Sequence, residues 1–340
     1  MKIVIDAFGG DNAPLSNIKG AADAKALYGV SVALSGDGES LKKCAAENGI
    51  SLEGIDIIEA PDVFDMHTPP SEIIKSGKNS SLAVGMKYCA DGNADAFVSA
   101  GSTGAIVMGG TFICKRMKGV KRAALGTMIP TKNGHTLLMD VGANADCRPE
   151  MLQQFGIMAS VYLKSVHKIE NPVVKLLNIG VEDTKGDELH LAAYPLLKSS
   201  PINFGGNIEA RDVPEGGADA VVTDGFTGNV ALKMYEGVSL TLFSIIKGLF
   251  KQSLKTKLAA VLMMKPLKGL KKTFDYSEVG GAPLLGLKSV VIKAHGSSNA
   301  KAITNAIRQA MLAVENNIVE ATAADIASIE GAANTAEDLG

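Results

Sequence analysis

The 340-residue sequence contains no tryptophan, only four cysteines and five histidines, and no excess of either charge. Its 34 Lys plus Arg face 36 Asp plus Glu, a formal charge of −2, so it lacks the basic balance that non-specific nucleic-acid binding requires. With no Trp but 37 Gly, tight backbone turns are expected to carry recognition rather than aromatic-lined surfaces. Cys44, Cys89, Cys114 and Cys147 show no C-x-x-C spacing and no His pairing, so neither a zinc site nor a disulfide framework is expected and the thiols read as reduced. His67, His135, His167 and His190 lack metal-ligand spacing, and neither a metal nor a cofactor is assigned. Asp6 interrupts the first apolar run, which argues against a signal peptide and sets cytoplasmic as the default location. At 46% hydrophobic and 21% charged, the chain is neither disordered nor fibrous.

One uncharged run, Ala96 to Cys114, has the length of a membrane span. It also holds four Gly and four Ser or Thr, and a buried strand, glycine loop and helix account for it better. That phrase recurs along the chain. Short apolar runs at Ile3 to Asp6, Val32 to Leu34, Ala96 to Ser99, Leu137 to Val141, Val173 to Ile179, Ala220 to Thr223 and Ser289 to Lys293 each lead into a polar glycine turn. Strands alternating with helices predict an α/β fold with a doubly wound, largely parallel sheet, whose ligands gather at the carboxyl ends of the strands. The length allows two domains, and the reading adopted is one large α/β domain over 1–335.

Two phrases resemble each other: A-D-A-F-V-S-A-G-S-T-G at 94–104 and A-D-A-V-V-T-D-G-F-T-G at 218–228. They are expected to be two copies of one strand, loop and helix unit whose loops face one cleft. Elsewhere charge is segregated: Gly237 to Phe274 carries eight lysines and no acid, which leaves a net −10 on the rest. Leu249, Leu254, Leu258 and Leu262 lie between those lysines, so 237–274 is a basic amphipathic excursion suited to an anionic bilayer, to a dimer contact or to plain solvation. Pro266 and Gly269 are expected to break or bend any single helix there. A second basic cluster, Lys115, Arg116, Lys118, Lys121 and Arg122, is either a dock for an acidic partner or a solvated loop.

Chemistry is expected on the turns. Asp6, Gly9, Gly10, Asp11 and Asn12 follow the first strand, where two glycines let backbone amides approach an anion. Ser102, Thr103 and Gly104, and likewise Asp224, Gly225, Thr227, Gly228 and Asn229, combine glycine freedom, hydroxyls and a helix start, a phosphate-binding combination whose plain alternative is helix capping. His295, Gly296 and Ser297 form a third such turn, and His295 reads as an oxyanion donor or a turn cap. Lys185 ends another strand and offers a cation for phosphate or oxyanion, against the commoner reading of a surface lysine. The chain has no dinucleotide G-x-G-x-x-G fingerprint and no G-x-x-x-x-G-K-[ST] loop.

Six motifs in order carry a resemblance: I-D-A-F-G-G-D-N-A-P at 5–14, S-A-G-S-T-G-A at 99–105, D-V-G-A-N-A-D at 140–146, N-I-G-V-E-D-T-K-G-D-E at 178–188, V-T-D-G-F-T-G-N-V-A-L-K at 222–233 and A-H-G-S-S-N-A-K-A-I at 294–303. In these the chain resembles the bacterial phosphate acyltransferases, the acyl-carrier-protein:phosphate acyltransferases of phospholipid synthesis. Phe8 and Asp187 depart from the family pattern, where methionine and asparagine are expected. The resemblance implies transfer of a long-chain fatty acyl group from a carrier-protein thioester to inorganic phosphate, giving acyl phosphate for a downstream glycerol-3-phosphate acyltransferase. It further implies a fold similar to phosphotransacetylases and to isocitrate and isopropylmalate dehydrogenases, a homodimer, and peripheral membrane association. On this reading Lys185, Asn229 and His295 are the catalytic candidates, and Asp140 and Asn144 of the third motif join the turn residues as substrate contacts. Direct attack by phosphate needs no acyl-enzyme, and no cysteine has a partnered His motif. The alternatives are a nicotinamide-dependent dehydrogenase of related fold and a non-enzymatic membrane scaffold.

Overall fold

The computed structural model describes residues 1–273 and 276–337; Phe274, the last residue of the expected excursion, lies outside them. In chain order the elements are β1 (Lys2–Asp6), α1 (Leu15–Tyr28), β2 (Ser31–Gly36), α2 (Gly38–Glu47), β3 (Asp56–Glu59), α3 (Ser81–Ala90), β4 (Ala96–Ser99), α4 (Thr103–Gly109), β5 (Ala124–Thr131), β6 (Gly134–Met139), α5 (Pro149–His167), β7 (Val173–Asn178) and α6 (Glu188–Lys198). They continue with β8 (Asn203–Glu209), β9 (Ala220–Val222), α7 (Gly225–Leu249), α8 (Leu254–Leu262), α9 (Met264–Thr273), α10 (Tyr276–Val279), β10 (Gly281–Leu285), β11 (Val290–Ala294), α11 (Ala300–Glu315) and α12 (Ile318–Glu337). The polar residues that end the glycine turns also start helices: Asp37, Asp187, Asp224 and Asn299 each accept a backbone amide three residues on.

The eleven strands of the described residues join one sheet in the order β3-β2-β1-β4-β11-β10-β5-β6-β9-β7-β8. Pairing is parallel within β3-β2-β1-β4-β11 and within β6-β9-β7-β8, and antiparallel at β11-β10, β10-β5 and β5-β6. The largely parallel α/β sheet is as expected. The antiparallel seam was not: it makes the two parallel halves run in opposite directions, so their carboxyl ends lie at opposite edges of the sheet. This corrects the expectation that all the glycine turns share one edge.

Side chains alternate across the strands into two cores. Ile3, Ile5, Val32, Leu34 and Ile292 face one, under α1, α5 and α11; Val4, Ala33, Phe97 and Val291 face the other, under α3 and α4. In α5, Phe155 and Tyr162 are fully buried, and each such side chain contributes about 1.5–3 kcal/mol by burial.

The two similar phrases do form equivalent units. Asp95, entering β4, takes the Lys2 amide on Oδ2 at 2.6 Å, and Asp219, entering β9, takes the Val173 amide at 2.7 Å. Each carboxylate therefore clamps the start of the neighbouring strand, β1 in one half and β7 in the other. Over 237–269 the chain is mostly exposed; in α7 the buried residues are Gly225 and Gly228, and α8 has none. The helix break falls at Met263 rather than at Pro266, which sits in the first turn of α9 where a missing N–H costs nothing, and Gly269 lies within α9. No helix among the described residues is long and apolar enough to cross a membrane.

Candidate active site at the seam of the sheet

The adjacent strands β1, β4 and β11 bring their three turns into contact. The Asp11 amide donates to Gly296 O at 2.8 Å, and Asn12 Nδ2 reaches Ser297 O at 3.1 Å and Ser298 O at 3.2 Å. A Cβ on Gly9 would stand 2.4 Å from Asp6 Oδ2 and 2.8 Å from Gly101 N, and Gly10 holds φ +100°, so glycine is required at both positions. Asp6 is fully buried, and the Ser81 and Ser99 hydroxyls donate to it at 2.6 Å each. Burial pushes its carboxyl above the usual carboxylate range against the pull of those two hydroxyls. Asp6 and Asn12, both expected as substrate contacts, tie the turns to one another in the structure. Asn17, not singled out in the sequence, does the same by donating to the carbonyls of Asp6, Ala7 and Gly9.

At the other edge, the buried Asp140 carboxylate gathers amides. Leu125, Gly142 and Ala143 donate to Oδ1 at 3.1, 3.2 and 3.0 Å, and Asn144 donates to Oδ2 from both its backbone and its side chain at 2.8 Å. Burial raises this carboxyl as well, with the Ala143 amide the largest opposing influence. Asn144 O accepts the Gly225 amide at 2.7 Å, and Asp224 caps α7 by accepting the Thr227 amide at 2.8 Å. Asp224 is therefore the cap of α7 and Thr227 supplies the capped amide, while Asp140, Asn144 and Gly225 form the frame of the turn. Ser102 occupies the cap position of α4 without a side-chain cap bond, and Gly104 makes room for Pro70.

Helix α7 connects the two edges. It starts in the Asp140 cluster, runs along β5 where the Tyr235 hydroxyl donates to Pro130 O at 2.6 Å, and lays Asn229, Leu232, Lys233 and Glu236 over the seam. A cavity of about 140 Å³ opens there. Thr103, Asn229, Lys233, Glu236, Lys293 and His295 supply its polar wall; Leu125, Met128, Val141, Leu232 and Ala282 supply its apolar wall. Gly142, with φ +122°, lets Asn229 pack 3.6 Å from where its Cβ would be. Lys233 Nζ closes an ion pair with Glu236 at 2.8 Å.

His295 Nδ1 accepts the Ser297 amide at 3.2 Å and lies 2.8 Å from Ser297 Oγ. Burial, with Lys293 and Lys233 adding to it, holds its pKa below the ordinary value, so the imidazole is neutral at neutral pH and carries its proton on Nε2 as a hydrogen-bond donor. Asn229 and His295, two of the three expected catalytic residues, thus share one cavity.

Lys185 does not line it. It is exposed at the end of β7, in the half that runs the other way, with its carbonyl held by Asn178 Nδ2 at 3.0 Å. Lys293, Lys233 and Glu236 were missed. Lys293 had a visible signal, a charge closing the otherwise apolar run V-V-I-K-A, whereas Lys233 and Glu236 reach the cavity only through the course of α7. A larger cleft of about 890 Å³ lies at the amino ends of β4 and β11, among Lys87, Cys89, Cys114 and Lys288, and none of the glycine turns reaches it. Burial pushes the thiols of Cys89 up to about 11 and of Cys114 and Cys147 up to about 12, which leaves them poor nucleophiles.

Known proteins share this fold. The solved structures of the EutD phosphotransacetylase from Staphylococcus aureus and a branched-chain phosphotransacylase from Enterococcus faecalis V583 superimpose with TM-scores of 0.60 and 0.56, each at 16% identity. The alignments cover 93% and 92% of this chain and 94% and 99% of those. A 4-hydroxythreonine-4-phosphate dehydrogenase from Klebsiella pneumoniae aligns with a TM-score of 0.54 at 14% identity over 92% of this chain and 98% of its own, so the fold spans transferases and dehydrogenases. In sequence, the phosphate acyltransferases of Oceanobacillus iheyensis and Alkaliphilus oremlandii are 47% and 44% identical, each over 97% of this chain and 98% of theirs. Residues 1–321 also match the family described as fatty acid synthesis protein, and with relatives this similar over nearly the full length, the chain belongs to that family, among its phosphate acyltransferases.

Proposed function

We propose that the protein transfers a long-chain fatty acyl group from an acyl-carrier-protein thioester to inorganic phosphate, releasing acyl phosphate for phospholipid synthesis. The observation that carries this reading is the seam cavity, which sets a neutral imidazole donor, an amide and cations against an apolar wall. A phosphate oxygen attacks the thioester carbonyl carbon. The resulting oxyanion is held by His295 Nε2–H and the Asn229 side chain, the C–S bond then breaks, and the carrier thiolate takes up the proton of the phosphate. No side chain needs to carry the acyl group, in keeping with the raised thiols. Thr103 and the apolar wall of Leu125, Met128 and Leu232 place the acyl end.

The exposed surfaces support the remaining partners. Val230, Met234, Val238, Leu242 and Ile245 recur at helical spacing on α7 and are all more than half exposed, an apolar stripe bordered by Lys233 and suited to a second copy in a homodimer. On α8 and α9, exposed Leu254, Leu258 and Leu262 stand among Lys255, Lys257, Lys265 and Lys268, a composition suited to peripheral contact with an anionic membrane from the cytoplasmic side. Residues 1–335 then act as one α/β domain with 237–274 as its membrane- or dimer-contacting excursion. The exposed Lys115, Lys118, Lys121 and Arg122 precede β5, beside the Asp140 cluster that Asn144 ties to Ala123 O at 2.7 Å, and offer a dock for the acidic carrier.

The test is thiol release from palmitoyl-loaded carrier protein with and without phosphate. Phosphate-dependent release is expected, and its absence in a folded sample overturns the reading. Asn229→Ala should lower kcat by about 10²–10³. Lys185→Ala should turn over normally, and its loss of activity would move chemistry to the β7 turn.

A further inference from the structure

We propose that Lys293 is the cation that binds a phosphate dianion in the seam cavity, positioning it for attack. This rests on the acyl-transfer reading above. In β11, Val290, Val291, Ile292 and Ala294 are all buried apolar residues, and the strand lies inside the sheet between β4, where Lys293 pairs with Ser99, and β10, where it pairs with Ala282. A lysine in that setting costs free energy unless something compensates its charge. Its neighbour Lys233 has Glu236 at 2.8 Å, but among the described residues no carboxylate lies within 4.0 Å of Lys293 and no hydrogen bond forms at its ammonium. The half-buried side chain instead opens on the cavity that Asn229 and His295 line. A compact dianion fills such a place: it supplies the missing counter-charge and stands beside the donors proposed for the oxyanion.

The same surroundings set a pH signature. The groups that face Lys293 are Lys233 and Glu236 on α7, Asp11 after β1 and His295 beyond β11. Burial first, then repulsion from Lys233, hold Lys293 down at about 8, with Glu236 and Asp11 pulling the other way. A bound dianion favours the protonated amine, so phosphate affinity should fall as pH rises above about 8. An arginine, which does not lose its proton in this range, should abolish that fall.

The experiment titrates inorganic phosphate into the purified full chain by calorimetry and, separately, measures KM for phosphate and for palmitoyl-carrier. Lys293→Met should weaken phosphate binding by about 30-fold or more while leaving the carrier KM unchanged, and Lys293→Arg should restore most of the binding without the alkaline decline. If phosphate binding persists in Lys293→Met and the carrier KM rises instead, Lys293 serves the carrier and not the phosphate, and the proposal is overturned. Unchanged values for both overturn the proposal. If Lys293→Met does not fold, the wild-type and arginine pH profiles still decide: parallel profiles reject Lys293. Failure of the parent reading is distinct, since wild type would then release no thiol even where phosphate binding depends on Lys293.

Discussion

The two halves of the sheet repeat one plan and complete it differently. In each, an Asp at the head of a strand clamps the neighbouring strand, and a buried carboxylate organises a turn at the carboxyl edge. Asp6 is held mainly by two serine hydroxyls at 2.6 Å, groups that can donate or accept, with the Phe8 amide farther off at 3.3 Å, whereas Asp140 is held by four backbone amides and the Asn144 side-chain NH₂, which can only donate. The first half thus ends in an adaptable frame beside the proposed phosphate cation. The second ends in a fixed nest from which α7 sets out toward the seam. Equivalent sequence units need not meet at one cleft: because the halves run in opposite directions, a helix must carry Asn229 and Lys233 across to the other half's turns.

The largest expected effect tests that departure point. A Cβ at Gly228 would stand 1.9 Å from Asp140 O, a backbone atom that cannot move without dislodging the nest. Gly228→Ala should therefore cost about 3 kcal/mol or more in chemical denaturation, at the upper end of overpacking penalties. A loss under about 1 kcal/mol would show that the nest is looser than its hydrogen bonds imply.

Next comes the contrast between the two carboxylates. Asp140→Asn turns an NH₂ toward amide donors and should cost about 1–3 kcal/mol, while at Asp6 the serine hydroxyls can reverse and the cost should stay under about 1 kcal/mol. The pH dependence has a definite sign. Asp6 in the folded chain titrates above its unfolded value, so its favourable contribution is present in acid and lost as pH rises through the folded value. Asp6→Asn should consequently compare better with wild type at pH 7 than at pH 4. Equal costs for the two substitutions, or the opposite pH trend, would erase the proposed difference between the halves.

How far the sequence announced all this follows from the residues involved. The seven strands it revealed end in polar glycine turns and are mostly aliphatic or β-branched, with no Gly or Pro in their interiors. The four it hid carry their own breakers: Gly126 and Pro130 in β5, Gly205 and Gly206 in β8, Pro283 in β10, while β3 is a four-residue piece. Two of those hidden strands, β5 and β10, are the seam itself, so the reversal of direction was invisible and Lys185 seemed equivalent to the other turn residues. Asn229 and His295 were legible because their motifs sit on turns. Lys233 and Glu236 were not, since two charges on a long helix look like its solvated face until the helix is seen lying over a cavity.

The smallest expected effect lies farther along that helix. A Cβ at Gly237 meets nothing within 4 Å, so Gly237→Ala removes only the backbone freedom of glycine and should stabilise the protein by about 0.5–1 kcal/mol. Set beside Gly228→Ala, the same chemical change on the same helix should then reverse sign, which assigns the earlier cost to contact with the Asp140 carbonyl rather than to helix propensity. Gly237 also lies close to the exposed stripe of Met234 and Val238. A loss at Gly237 that deepens on dilution would mean that another copy's surface approaches this backbone closely, and would tie the dimer to the helix that completes the site.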